Sequence, residues 1–196
     1  MTFLAMLRAL RSKLLGCNLH EVDPGKVYRV ARGKLDDAPF AELLRRLGIR
    51  TAVDLRRASA ADGPGGPVDF AALGIRYENV HLRSSVLVLP ECLSRFVEIL
   101  DGAEPPLLLY CKRGTDKSGF ASMLALMLRN GVPLDAARAQ LAFIPFGHKK
   151  HRHGGPWHFI RLLRETGPHS DLRYWIRGSY PALFEREMRA AGDVRT

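Results

Sequence analysis

The chain has 196 residues and a formal net charge of +10 at pH 7, with 46% hydrophobic and 26% charged residues. This length and composition are typical of one globular domain and exclude collagen, coiled coil, intrinsic disorder and a membrane-spanning segment. A strongly basic chain favours anionic partners, which include nucleic acids, acidic lipids and phosphorylated small molecules.

The first fifteen residues place apolar side chains, among them Phe3, Leu7 and Leu14, at helical spacing with basic residues between them. This pattern predicts an N-terminal amphipathic helix over 1–16. The helix either packs on the domain or makes peripheral contact with an anionic membrane through residues 1–15. We expect a cytoplasmic protein, and in the second case one at the inner face of the membrane.

The three cysteines, Cys17, Cys92 and Cys111, are odd in number, widely spaced and outside any C-x-x-C pair. They predict a reducing compartment with no disulfide framework and no structural zinc. We expect Cys17 and Cys92 to be structural.

Strand-like and helix-like segments alternate from residue 26 onward. Apolar and β-branched runs predict strands over 26–31, 49–55, 75–82 and 105–111, and helical spacing predicts helices over 39–48, 68–74, 90–102, 118–130 and 134–143. A loop is expected at 58–67 from its composition. This alternation predicts an α/β fold with a central, mostly parallel sheet flanked by helices over 17–145, and a basic helical extension over 146–196 packed on the same domain.

Ligands of such folds bind at the carboxyl ends of the strands. The turn CKRGTDKSG, residues 111–119, follows the most apolar predicted strand and precedes a long helix. At that position the helix dipole and backbone N–H groups would stabilise Cys111 as a thiolate, and Lys112, Arg113 and Lys117 add positive charge. A nucleophile inside an anion-binding loop predicts covalent phosphoryl transfer.

On these residues the chain resembles the cysteine-dependent protein tyrosine and dual-specificity phosphatases, whose signature is His-Cys-x5-Arg-Ser/Thr. The resemblance covers residues 26–142. The order and spacing of the segments in this range are similar to those of compact bacterial members of the family. It implies a dual-specificity-phosphatase-like domain that works without cofactor or metal. It also implies that Cys111 forms a phosphocysteine intermediate and that Ser118 stabilises the leaving thiolate. The phosphoryl oxygens would be bound by the backbone and side chains of Lys112, Arg113, Gly114, Thr115 and Lys117.

The chain departs from this signature at three places. Lys117 replaces the arginine, and a lysine cannot make the planar two-pronged contact with phosphate oxygens. Tyr110 replaces the histidine before the cysteine. Where dual-specificity enzymes carry a general-acid aspartate, this chain has Arg83, Ser84 and Ser85, none of which is suited to protonate a leaving alkoxide.

Asp116 is the leading candidate for the missing acid. It directly precedes Lys117, and myotubularin-like and Sac-type lipid phosphatases also carry an aspartate at that place in the loop. The alternative is that Asp116 only shapes the loop or orients Lys117, whose charge favours an ionised carboxylate. Glu78 and Asp62 are weaker candidates.

Further basic residues are candidates for substrate binding. Arg56 and Arg83 follow predicted strands at the same sheet edge, where they contact substrate or form surface salt bridges. The run 148–153 predicts either a solvated loop or a lid whose His148, Lys149 and Lys150 meet further phosphates. Metal binding by its histidines is disfavoured because the interleaved cations repel a metal ion.

The sequence therefore predicts a phosphomonoester hydrolase for an anionic non-protein substrate, such as a phospholipid, a lipopolysaccharide component or an inositol phosphate. A catalytically weak phosphate-binding module and a protein phosphotyrosine or phosphoserine phosphatase are the alternatives. No nucleic-acid partner is expected, and the oligomeric state is left open.

Overall fold

A computed structural model describes residues 16–57, 67–149, 154–167 and 171–193. The predicted N-terminal helix, most of the 58–67 loop and Lys150 lie outside these residues. Within them, no helix has the length and apolar character needed to cross a membrane.

The centre of the fold is a five-stranded sheet. Its strands are β1 (His20–Asp23), β2 (Val27–Ala31), β3 (Thr51–Asp54), β4 (Arg76–Asn79) and β5 (Leu107–Cys111), in the spatial order β1-β2-β5-β3-β4. Only the β1–β2 pair is antiparallel. The apolar strand β5 lies in the middle, and pairing of Ala31 with Cys111 and of Asp54 with Tyr110 brings three strand ends to one edge.

Helices cover both faces of the sheet. They are α1 (Asp37–Arg46), α2 (Pro90–Gly102), α3 (Asp116–Asn130), α4 (Leu134–Ala137), α5 (Gly154–Thr166), α6 (Leu172–Gly178) and α7 (Tyr180–Asp193), and short 3-10 turns occur at Arg32–Lys34 and Arg138–Leu141. Helix α1 packs on one face through Phe40 and Leu44. The other face carries the larger core, to which the C-terminal helices contribute Phe159, Trp175 and Tyr180.

The predicted α/β class, the parallel sheet and most elements are confirmed. The helix predicted over 68–74 is wrong. That segment forms turns in which Asp69 accepts a hydrogen bond from Ala72 N and Gly74 has a φ of +67°. The Asp69 side chain takes the N–H of Ala72 in place of a helical carbonyl, and the left-handed Gly74 ends the segment, so turns form instead of a helix.

Other elements are shorter than expected or were missed. The predicted strand 75–82 is regular only over Arg76–Asn79, and the helix predicted over 134–143 is a single α-turn followed by a 3-10 turn. Strand β1 was not predicted because four residues carry little periodic signal. Tyr174, on α6, is 76% exposed, whereas its neighbour Trp175 is buried.

Candidate active site

The turn after β5 forms the floor of a pocket. Strand β5 ends at Cys111 and α3 begins at Asp116, so the loop between them lies at the carboxyl edge of the sheet. Above it is a pocket of about 220 Å³ lined by residues of the 111–117 loop together with Arg56 and Ser84. The sequence-predicted loop and the pocket therefore coincide.

Cys111 and Ser118 are close enough for the predicted thiol chemistry. The Sγ atom of Cys111 lies 3.6 Å from the Oγ atom of Ser118, which is buried in the first turn of α3. A hydroxyl at this distance can donate to a thiolate, and the helix N-terminus favours negative charge at the same place.

The carbonyl groups of the loop are bound from behind. Lys112 O accepts from Gly33 N at 3.0 Å, and Gly114 O accepts from Asn18 Nδ2 at 2.8 Å. Thr115 O accepts from Arg29 Nη2 at 2.8 Å. Because C=O and N–H of one trans peptide unit point in opposite directions, the N–H groups that follow these carbonyls face the pocket side of the loop. The loop is thus arranged to bind an anion.

Arg29 is the most important of the residues that the sequence analysis missed. Its side chain is fully buried, its Nη1 donates to Gln140 O at 2.8 Å, and its guanidinium lies 4.4 Å from the centre of the Phe146 ring. The pKa of Arg29 is lowered to about 10, because the effect of burial outweighs the opposite effect of Cys111 and Asp116. The group is therefore charged at neutral pH and places a positive charge beneath the loop.

Asn18 was also missed. Its Nδ2 donates to the carbonyl oxygen of Phe146 at 3.2 Å as well as to that of Gly114, and its Oδ1 lies 2.7 Å from Nε2 of His20. Asn18 adopts a φ of +48°, a conformation that asparagine tolerates better than most residues. It joins the phosphate-binding loop to the segment that carries His148.

Arg56 forms a salt bridge, one of its two predicted roles, and it also lies in the pocket wall. Its Nε and Nη2 donate to the carboxylate of Asp54 at 2.7 to 3.1 Å, and the side chain lines the pocket. Hydrogen bonding to Asp54 raises the pKa of Arg56. Asp54, the buried last residue of β3, thus holds the guanidinium at the pocket wall.

Lys117, at the position of the signature arginine, lines the pocket and is half-buried. Burial lowers its pKa, whereas the negative charges of Cys111 and Asp54 raise it. Lys112 and Arg113 are exposed and also line the pocket. None of these three cations forms an ion pair with a carboxylate in the part of the chain that the structure describes.

Tyr110 does not stand in for the missing histidine. Successive residues of a strand point to opposite faces, so Tyr110 packs in the α1 core while Cys111 belongs to the other core. The Tyr110 ring meets the Phe40 ring edge-on at 5.3 Å. It therefore takes no part in binding the thiolate.

Asp116 is in the pocket wall, and two of the described residues hydrogen-bond to its carboxylate. Its Oδ1 lies 2.8 Å from Nδ1 of His148, and its Oδ2 lies 3.0 Å from Oγ1 of Thr115. The other ring nitrogen of His148 accepts a hydrogen bond from Trp157 Nε1 at 3.0 Å. Among the described residues that line the pocket, Asp116 is the one carboxylic acid.

His148 is not the solvent-facing lid residue that the sequence suggested. His148 is 2% exposed, because its side chain points inward and hydrogen-bonds to Asp116. Lys149 is exposed but does not line the pocket, and Arg83 is half-buried and does not line it either. Among residues 83–85, Ser84 reaches the pocket instead.

Of the two weaker acid candidates, Glu78 is already paired with cations, and Asp62 lies outside the described residues. Glu78 binds Arg76 at 2.6 Å and Arg95 at 2.8 Å, and it does not line the pocket. Near the place expected for the upstream acid, burial lowers the pKa of His81, and the charge of Lys117 lowers it further. A neutral imidazole there is a poor proton donor. The described residues contain no group of three or more histidine, cysteine or acidic side chains placed to hold a metal ion.

Comparison with known proteins agrees with this geometry. The model of the tyrosine phosphatase family matches residues 16–139. The chain belongs to this family of cysteine-dependent phosphatases. It is therefore a hydrolase of the protein tyrosine and dual-specificity phosphatase type, and the resemblance stated from the sequence is confirmed.

Solved structures of similar fold extend the comparison. P. aeruginosa TpbA is 20% identical, with a TM-score of 0.56, over 84% of this chain and 96% of TpbA. Human DUSP28 is 20% identical, with a TM-score of 0.57, over 76% of this chain and 93% of DUSP28. Tk-PTP is 18% identical, with a TM-score of 0.54, over 75% and 96% of the two chains. These likenesses show the shared fold. No curated protein matches the sequence.

Proposed function

We propose that this phosphatase hydrolyses phosphomonoesters of small, highly anionic, non-protein molecules, such as a phospholipid, a lipopolysaccharide component or an inositol phosphate. The observation that carries the proposal is the pair of exposed cations, Lys112 and Arg113, beside a pocket that already contains Lys117 and Arg56. The substrate class rests on this surplus of positive charge.

A single phosphate group does not require all of these cations. The loop N–H groups, together with Lys117 and Arg56, provide donors for one phosphoryl group at the bottom of the pocket. Lys112 and Arg113 have no carboxylate partner among the described residues, so their charge is available to further anionic groups of the same substrate. The expected amphipathic helix over 1–15 would also bring the protein to an anionic membrane.

The chemistry uses the residues of the loop. The Cys111 thiolate attacks phosphorus, the bond between phosphorus and the leaving oxygen breaks, and that oxygen takes a proton from Asp116. A water molecule then attacks the phosphocysteine and gives a proton to Asp116. The Cys111 thiolate leaves with inorganic phosphate as the product, and Ser118 stabilises the thiolate by hydrogen bonding.

The same experiment distinguishes the proposed function from two alternative functions. A cysteine-to-serine form of TpbA is known in complex with pTyr, so a phosphoprotein substrate must be compared directly. The replacement of the signature arginine by Lys117 favours, as the second alternative, a module that binds phosphate with little turnover.

Phosphate release from a panel of substrates tests the proposal. The panel contains phosphoinositide vesicles, soluble inositol phosphates, phosphatidic acid vesicles, and phosphotyrosine and phosphoserine peptides. We expect kcat/KM to be at least about tenfold higher for the polyanionic substrates than for the peptides, equivalent to about 1.4 kcal/mol. Cys111→Ser should release no phosphate from any of them. Higher activity on peptides, or binding without turnover, would overturn the proposed substrate class.

A further inference from the structure

We propose that His148, fixed by Trp157, is a positioning residue that prepares Asp116 for proton transfer. This inference rests on the proposed function, in which Asp116 protonates the leaving oxygen. It assigns a role to two residues outside the phosphate-binding loop, one in the segment before α5 and one on α5 itself.

The tautomer of His148 follows from its hydrogen bonds. The indole N–H of Trp157 donates and cannot accept, so Nε2 of His148 must carry its lone pair. The ring proton of the neutral imidazole therefore lies on Nδ1, which donates to Oδ1 of Asp116 at 2.8 Å. Trp157 thus determines which nitrogen of His148 donates.

This arrangement also distinguishes the two oxygens of Asp116. Because Oδ1 accepts from His148, a proton on the carboxyl group must be carried by Oδ2. The hydroxyl of Thr115, 3.0 Å from Oδ2, can donate to the carboxylate or accept from the carboxylic acid as the proton leaves and returns. Asp116 can therefore change protonation state without losing its bond to His148.

The supporting elements hold this chain of bonds firmly. His148 is 2% exposed, and its backbone N–H lies 3.4 Å from Ala142 O. Helix α5 begins against the loop that lines the pocket, since Gly155 N donates to Ser84 O at 3.2 Å. A Cβ atom on Gly155 would lie only 2.2 Å from Val86 O, so the close approach depends on glycine. Because Trp157 lies two residues later on the same helix, this contact fixes its position beside His148.

The test uses leaving groups of different basicity. An alkyl phosphate needs a proton on its leaving oxygen, whereas 2,4-dinitrophenyl phosphate does not. We expect His148→Ala to lower kcat/KM about 100-fold for the alkyl phosphate and to leave the value for the dinitrophenyl ester nearly unchanged. The ratio kcat/KM is used because it reports the steps up to formation of the phosphocysteine.

Two further variants separate positioning from folding. His148→Asn keeps an N–H close to the place of Nδ1, so it should retain most of the activity on the alkyl phosphate. Trp157→Phe should lower that activity, because either tautomer of His148 becomes accessible. His158→Ala is the matched control, since His158 also binds a carboxylate, Glu187, at 2.6 Å but does not line the pocket. It should leave the ratio between the two substrates unchanged.

The outcomes distinguish this inference from the proposed function. Equal losses on both esters in His148→Ala and Trp157→Phe, with no restoration by His148→Asn, would overturn the positioning role. If the wild-type protein hydrolyses neither ester, or if Cys111→Ser hydrolyses them equally well, the proposed function itself fails.

Discussion

The guanidinium of Arg29 donates a 2.8 Å hydrogen bond to the carbonyl oxygen of Thr115, the residue that immediately precedes helix α3. The same Nη2 atom donates to Gly114 O at 3.0 Å. A buried cation on β2 thus turns two carbonyl groups of the catalytic loop away from the pocket, and the loop N–H groups take the opposite direction. The anion-binding geometry depends on a strand outside the loop.

Arg29→Met should disrupt this loop. The change leaves the carbonyl oxygens of Gly114 and Thr115 without the Arg29 donor and removes the positive charge near Cys111. We expect a loss on the order of 3 kcal/mol in the free energy of unfolding, measured by urea denaturation, and a large loss of kcat/KM. Arg29→Lys keeps the positive charge but not the two-pronged guanidinium, so it should lose less of the free energy of unfolding than Arg29→Met. Unchanged activity in Arg29→Met would contradict the role of this residue.

Gly114→Ala tests the close approach of the loop to β2. Gly114 has a φ of +65°, and a Cβ atom there would lie 2.7 Å from Ala31 N and 2.9 Å from Val30 C, both of them backbone atoms. We expect the loop to shift, so that phosphate binding measured by calorimetry weakens and kcat/KM falls. The left-handed conformation alone costs about 1–2 kcal/mol.

Gly131→Ala is the control for this substitution. Gly131 has nearly the same φ, +64°, but no atom lies within 4 Å of the place of its Cβ. It should lose similar conformational energy and keep full kcat/KM. If both variants lose activity equally, the close contact with β2 is not what shapes the loop.

Lys117→Arg should raise turnover. An arginine restores the two-pronged contact with the phosphoryl oxygens, and one added charge-assisted hydrogen bond of about 1.5–3 kcal/mol corresponds to about 10- to 150-fold in rate. The measurement is kcat/KM on the best substrate of the panel. No gain, together with unchanged phosphate affinity, would indicate that the site binds phosphate without efficient chemistry.

The alkaline limb of the pH profile should report Lys117. Burial lowers its pKa below the ordinary value of 10.5, and only the protonated ammonium binds phosphate. Activity should therefore be retained below the lowered pKa and be lost as pH rises through it. In Lys117→Arg this limb should move to higher pH, because arginine stays charged. Lys26→Arg, an exposed change just before β2 and therefore at the edge of the sheet opposite the loop, should leave the limb in place. A limb that is identical in all three proteins would exclude Lys117 as its source.

The residues that adjoin Cys111 along the chain were predictable, and those that reach it from elsewhere were not. The loop 111–119 contains its nucleophile, cations and glycines in one uninterrupted segment, so residue type and spacing were enough. Arg29 had a weaker signal: it shares a strand face with Val27 and Ala31, and a charged residue on an inward face requires a buried partner. Nothing in the spacing indicated that this partner would be a pair of carbonyl groups 85 and 86 positions away.

By itself, the sequence determined the α/β class, the central strand, the catalytic loop and the phosphatase family, because hydrophobic periodicity and the loop motif are local properties of the chain. Only the tertiary structure decided how the loop is held and where Asp116 finds its partners. Asn18, Arg29 and His148 reach the loop through pairings across 32 to 96 positions, which arise from strand order and helix packing and leave no trace in local spacing. The basic run after Phe146 shows this most clearly: its composition suggested exposure to substrate, but packing of α5 against the pocket turned His148 into the interior.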